Sequence, residues 1–226
     1  MTHSLHRFGE LQERDFVWQV YHAKGINDNN IPEKLAVVLD VVKKLGSENF
    51  GDVKTGPIVC TSEETIKSRL TIQSRLRGVF TSRDQVIRFL QRMKELNLGL
   101  SVIVSGKLDE VFAACKEAGL TPHTVNYSIG VFGRVDLLPD EGVLAITSMC
   151  GHHMIAASLV EKLKARVKAG KLSAEEAAKR LACLCPCGIF NPVRASALFR
   201  GDLLPKGVRA DHTSFTESEN TTFRRW

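Results

Sequence analysis

Leu100-Ser-Val-Ile-Val104, with Gly99 before it and Gly106 after it, decides the fold class. A short apolar run bounded by glycines has the composition of a strand buried on both faces of a sheet. A helical pattern follows at once, from Leu108 to Ala118, and Gly119 closes it. Strand, glycine turn and helix in that order form the repeating element of an α/β layer. A similar unit lies upstream. Asp15-Phe-Val-Trp-Gln-Val-Tyr21 is rich in aromatic and β-branched residues, as strands are. The turn-rich stretch Lys24-Gly-Ile-Asn27-Asp-Asn-Asn30 follows it. Pro32 then opens a helix whose Leu35, Val38, Leu39, Val42 and Leu45 recur at helical spacing, and Gly46 stops it.

Working outward, Thr61-Ser-Glu-Glu64 and Ser82-Arg-Asp-Gln85 have capping-box spacing and predict two more helices. The second carries Val86, Phe89, Leu90 and Met93 on one face. His123–Gly130 and Gly142-Val-Leu-Ala-Ile-Thr-Ser148 read as further strands. From Cys150 onward the pattern is helical. Ile155, Leu159, Leu163 and Val167 mark one helix, and Ser173-Ala-Glu-Glu176 caps a second. Asn191-Pro192 supplies N-cap and first helical residue to a third, Val193 to Arg200. The expected fold is an α/β domain over residues 12–148, with a mostly parallel or mixed sheet and flanking helices. A helical, cysteine-rich, metal-binding segment over 149–204 follows it. A polar tail over 205–226 is expected to be flexible or docked to a partner.

Composition sets bounds on function. The chain has 226 residues, 43% hydrophobic and 25% charged, an ordinary balance for a globular protein. No run reaches the ~18 apolar residues of a membrane helix, and the first residues have no secretory apolar block, so a cytoplasmic protein is expected. The formal net charge of +6 is spread over helix faces such as Lys162, Lys164, Arg166, Lys168 and Lys171. A solvated face explains such spacing better than nucleic acid does, and a positive field favours a small anionic substrate. Homo-oligomerisation is left open.

The chemistry lies in the cysteines. Of six, four fall in the last third: Cys150, in Cys150-Gly-His152-His153, and the run Cys183-Leu-Cys185-Pro-Cys187-Gly188. In a reducing compartment such density points to metal or catalysis rather than to a disulfide framework. In an extended segment residues i and i+2 share a side, so Cys185 and Cys187 are expected to meet one metal centre with Cys150. Cys183 is a fourth candidate, or a core residue at a helix end. No C-x2-C pair is present for a zinc knuckle, although Cys150-x2-His153 has zinc-ligand spacing and keeps zinc as the alternative. A [4Fe-4S] cluster held by thiolates suits the set best.

Ligand number then decides the activity. Three ligands leave one iron open as a Lewis acid, which predicts a lyase of hydratase/dehydratase or desulfurising type. Four ligands predict an iron–sulfur electron-transfer protein, and zinc predicts a stabilised binding module. His152 and His153 are the candidate proton-transfer groups. Lys24, Asn27 and Arg194 are the candidate substrate-binding groups, Lys24 and Asn27 because ligands of α/β sheets bind beyond strand ends. Cys60 and Cys115 read as packing residues. His3, His6 and Arg7 form a basic group ahead of the first strand. The nucleotide-binding fingerprints, the zinc-protease helix motif and the serine nucleophile elbow are absent.

Overall fold

The structure is a computed structural model and describes residues 7, 14–128 and 130–201. A five-stranded sheet organises it, in the spatial order β3-β2-β4-β1-β5. The strands are β1 (Phe16–Tyr21), β2 (Asn49–Asp52), β3 (Gly56–Pro57), β4 (Leu76–Phe80) and β5 (Ser101–Ser105). Every pairing is antiparallel, with Trp18 opposite Gly78 on one side and Val104 on the other. This corrects the expected parallel or mixed sheet. The two strand–helix units at 16–46 and 100–119 exist, but their strands lie side by side and run in opposite directions.

Alternation along the strands separates two cores. Phe16, Trp18 and Val20 of β1, and Leu76 and Phe80 of β4, face α1 (Ile31–Lys44), α3 (Arg83–Leu96) and α4 (Leu108–Glu117). Trp18, Phe80 and Phe89 pack ring against ring there, with centroids 5.4–6.0 Å apart. Gly78 makes the room, since a Cβ at that position would stand 2.5 Å from the Trp18 ring. The indole N–H donates to Ser47 Oγ at 3.0 Å, so the large side chain is buried without an unmet donor.

Val17, on the opposite face, joins a second core built with the carboxyl-terminal helices. These are α5 (Glu141–Thr147), α6 (Ala157–Lys168), α7 (Ala174–Leu184) and α8 (Pro192–Arg200). The short α2 (Glu63–Ser68) precedes β4. The sheet is therefore a middle layer between two helical layers. Helix starts follow their caps. Ser82 and Gln85 form the reciprocal capping box of α3, Ser173 Oγ accepts from Glu176 N, and Asn191 accepts from Arg194 N. No helix among the described residues is long and apolar enough to cross a membrane.

Two expected strands are absent. Gly142–Ser148 is the helix α5, whose N-cap Asp140 accepts from Val143 N. A short apolar run is equally compatible with a buried helix turn, and the acidic cap decides the matter. Residues 123–128 form no strand. The strands β2 and β4 went unread because Asn49-Phe-Gly-Asp52 and Leu76-Arg-Gly-Val-Phe80 carry residues that strand propensity disfavours. Tertiary packing overrides it here. The tail over 205–226, His3 and His6 lie outside the described residues.

Candidate metal centre

Cys150, Cys185 and Cys187 are all fully buried in the second core. Cys150 follows the end of α5, Cys185 caps the end of α7, and Cys187 sits two residues on, in the extended turn before α8. Cys185 shares thiol hydrogen bonds with Cys150 on one side and Cys187 on the other. Cys150 precedes Cys185 and Cys187 by 35 and 37 positions, and the packing of α5 and α7 on α8 brings the three together.

Charge is unequal within the trio. The hydrogen bond with Cys185, then burial, pushes the Cys150 thiol far above its ordinary range. Cys185 is also raised: its bond with Cys150 favours the thiolate, but the bond with Cys187 and burial outweigh it. Cys187 is the thiol most ready to ionise. The bond from Cys185 lowers it first, and the Ile189 N–H and the Arg77 guanidinium lower it further against the opposing effect of burial. Among the described residues no group of three or more His, Cys, Asp or Glu side chains stands at metal-ligand geometry. The trio is hydrogen-bonded in a chain, so a thiolate-ligated group fits by its donor set and requires the thiols to ionise and turn to a common point.

The turn carrying Cys187 rests directly on the sheet. Gly188 adopts φ +79°, and a Cβ there would stand 2.4 Å from the Phe50 carbonyl carbon and 2.6 Å from Gly51 N. Only glycine satisfies both demands. Asn49 Nδ2 donates to Phe190 O at 3.1 Å and ties β2 to the same turn.

Cys183 does not join the trio. It forms a disulfide with Cys60, which lies in the 3-10 turn Ile58–Cys60, and the two Cα atoms are 5.6 Å apart. The bond closes a sequence separation of 123 residues and fastens α7 to the β3 end of the sheet. The reading of Cys60 as a packing residue is corrected. Its thiol has no helical or strand periodicity to mark it, and only the approach of α7 supplies the partner. Cys115 is a partly buried residue against the first core.

The histidines divide. His152 Nδ1 lies 3.6 Å from Cys187 Sγ. His153 takes φ 55°, and its backbone N–H closes a turn on Cys150 O. The substrate-binding candidates make hydrogen bonds or take positions of their own. Asn27 stabilises its own loop, accepting from Ala23 N and donating to Gly99 O, and Lys24 is exposed on that loop. Antiparallel topology removes the strand-end crevice that motivated both. Arg194 is 1% exposed and pairs with Asp15 at 2.8 Å, which Arg7 also pairs with at 2.5 Å. Asn191 Nδ2 donates to the same carboxylate. This buried network joins the start of β1 to α8 through Arg194.

Sequence reasoning missed Arg77. It projects from β4 onto the face that carries the cysteines and is 7% exposed. Its Nε donates to Gln19 Oε1, its cross-strand neighbour, at 3.1 Å. Burial lowers its pKa, and the charges of Cys187, Asp52 and Cys185 act in the other direction. Nothing local in Leu76-Arg-Gly-Val-Phe80 marks it; a charged residue at an inward strand position is the only signal, and it needs the strand to be known. No family model, curated protein or solved structure matches the chain.

Proposed function

We propose that the protein is an iron–sulfur lyase whose [4Fe-4S] cluster is held by Cys150, Cys185 and Cys187. The observation that carries this reading is the division of the cysteines: three meet in the second core while Cys183 is bound to Cys60. Three thiolates and a diverted fourth favour a lyase over the four-cysteine electron-transfer protein. When bound, a cluster with an iron that has no protein ligand supplies a Lewis acid for a leaving hydroxyl or sulfur.

The chain's own groups account for the rest. His152, beside Cys187, is the group positioned to carry a proton. In a dehydration, a C–H proton and the hydroxyl on the neighbouring carbon depart together as water and a C=C bond forms. In a desulfurising reaction the departing pair is a proton and hydrosulfide, released as hydrogen sulfide. The second core excludes bulk water from the thiols, which are fully buried.

A second reading has its own observation. Cys150, Cys185, Cys187 and His152 together make a three-cysteine, one-histidine set, which suits structural zinc. Anaerobic purification followed by iron, sulfide and zinc analysis tests both. Iron with equimolar sulfide is the expected result; zinc without sulfide would replace the lyase by a zinc-stabilised binding module.

A further inference from the structure

Arg77 is a largely buried guanidinium with four of its five N–H donors unused. Its Nε is committed to Gln19, and its two terminal amino groups have no hydrogen-bond partner among the described residues but keep some contact with solvent. Asp52 makes its hydrogen bonds elsewhere, accepting from Lys54 N and Arg75 N at 2.8 and 2.9 Å. No carboxylate among the described residues forms a salt bridge with Arg77. An anion arriving from solvent can therefore complete the four open N–H donors.

Placement says which anion. Arg77 and Gln19 share the sheet face that Val17 and the cysteine-bearing turn occupy, and Gly51, opposite Arg77 on β2, is the residue on which Gly188 rests. Just before β4, the exposed Arg75 lies over the ring of Tyr21, which is on the same face of β1 as Gln19, at 5.8 Å. A path of positive charge thus runs from solvent at Arg75 to the buried Arg77 beside the thiols. A planar fork with two free amino groups matches the two oxygens of a carboxylate. Phosphate fits less well, because it brings a second negative charge next to three thiolate ligands.

We propose that Arg77, oriented by Gln19, binds the carboxylate of the substrate, which is therefore a small organic acid. The assignment rests on the iron–sulfur reading for the chemistry that follows, but the anion site is a property of Arg77 itself.

The test uses the full chain, purified and reconstituted without oxygen. Iron and sulfide are measured first. Lactate and malate are then titrated, with inorganic phosphate and 2-propanol as controls, following the electron paramagnetic resonance of the reduced cluster and, separately, heat of binding by calorimetry. Both acids should bind and shift the spectrum, phosphate should bind at least tenfold more weakly, and 2-propanol should do nothing. Arg77→Met should keep its iron and sulfide and lose about 30-fold or more in affinity for the acids. Arg77→Lys, which keeps the charge without the fork, should lose about tenfold. Wild-type affinity in an iron-loaded Arg77→Met protein would overturn the proposal, as would phosphate binding as tightly as the acids. If Arg77→Met fails to fold, Arg77→Lys decides alone, and unchanged affinity there rejects the carboxylate fork. Absence of iron and sulfide from the wild type would refute the lyase instead, and calorimetry on the same variants would still read the fate of the Arg77 site.

Discussion

At the residue scale, Asp15 concentrates the most electrostatic consequence. Burial works against its ionised form, but Arg7 and Arg194 outweigh burial and hold the carboxyl below the ordinary carboxylate range. A native pKa lowered beneath its unfolded value stabilises the fold above the unfolded value, and that stabilisation disappears as pH falls from about 4 through the native pKa. Wild-type stability, measured by urea unfolding between pH 7 and pH 2, should therefore decline most steeply below about pH 4. Asp15→Asn should cost about 3–5 kcal/mol at pH 7, because it leaves two buried guanidinium groups without their acid, and should flatten that acid limb.

Gly188 is the second residue whose replacement has a definite sign. Gly188→Ala meets a left-handed φ and a backbone contact at 2.4 Å at once. The conformational cost of about 1–2 kcal/mol adds to an overpacking cost of about 1–3 kcal/mol. The Cys187 turn then lifts from β2, so the variant should unfold at lower denaturant concentration and retain less metal per chain than wild type.

At the scale of elements, the disulfide and the thiol trio make separable predictions although Cys183 in the last turn of α7 is two residues from Cys185 at its C-cap. Cys183→Ser opens a loop of 123 residues and should lower stability by about 2–4 kcal/mol while leaving iron and sulfide content unchanged. Cys187→Ser should leave the disulfide intact and abolish cluster binding. Equal loss of iron in the two variants would restore Cys183 as a ligand and with it the four-cysteine electron-transfer protein.

Helix ends at this scale were legible because their determinants are local. Ser82 with Gln85, Ser173 with Glu176 and Asn191 with Pro192 each satisfy backbone donors within one turn, and each starts a helix where its spacing says. The run Gly142–Ser148 was not legible. Its apolar residues carry no period over so short a span, and its helical state follows from Asp140 and from packing in the second core.

At the scale of the molecule, the sheet divides one core that is closed and apolar from another that contains the thiols, Arg77 and Gln19. The two layers are coupled through the sheet itself, since consecutive residues of β1 serve opposite cores. A group that binds all three thiols would link α5, α7 and the turn before α8. Metal binding to the native state alone stabilises it by mass action, so chelation under anaerobic conditions should lower the melting temperature, and metal addition should restore it in proportion to occupancy. Unchanged melting after complete removal would mean that the thiols bind nothing structurally coupled.

The sequence by itself determined the helix starts at Ser82, Ser173 and Asn191, the strands β1 and β5, and the grouping of Cys150 with Cys185 and Cys187. Those features rest on short-range physics: caps, periodicity of apolar residues, and the shared side of positions i and i+2. Only the tertiary structure decided that the sheet is antiparallel, that Cys183 turns to Cys60, and that Arg77 stands beside the thiols. Each depends on which distant segments become neighbours. Strand direction is set by how both helical layers cover the sheet, and a disulfide or a cross-strand guanidinium has no local period to announce it.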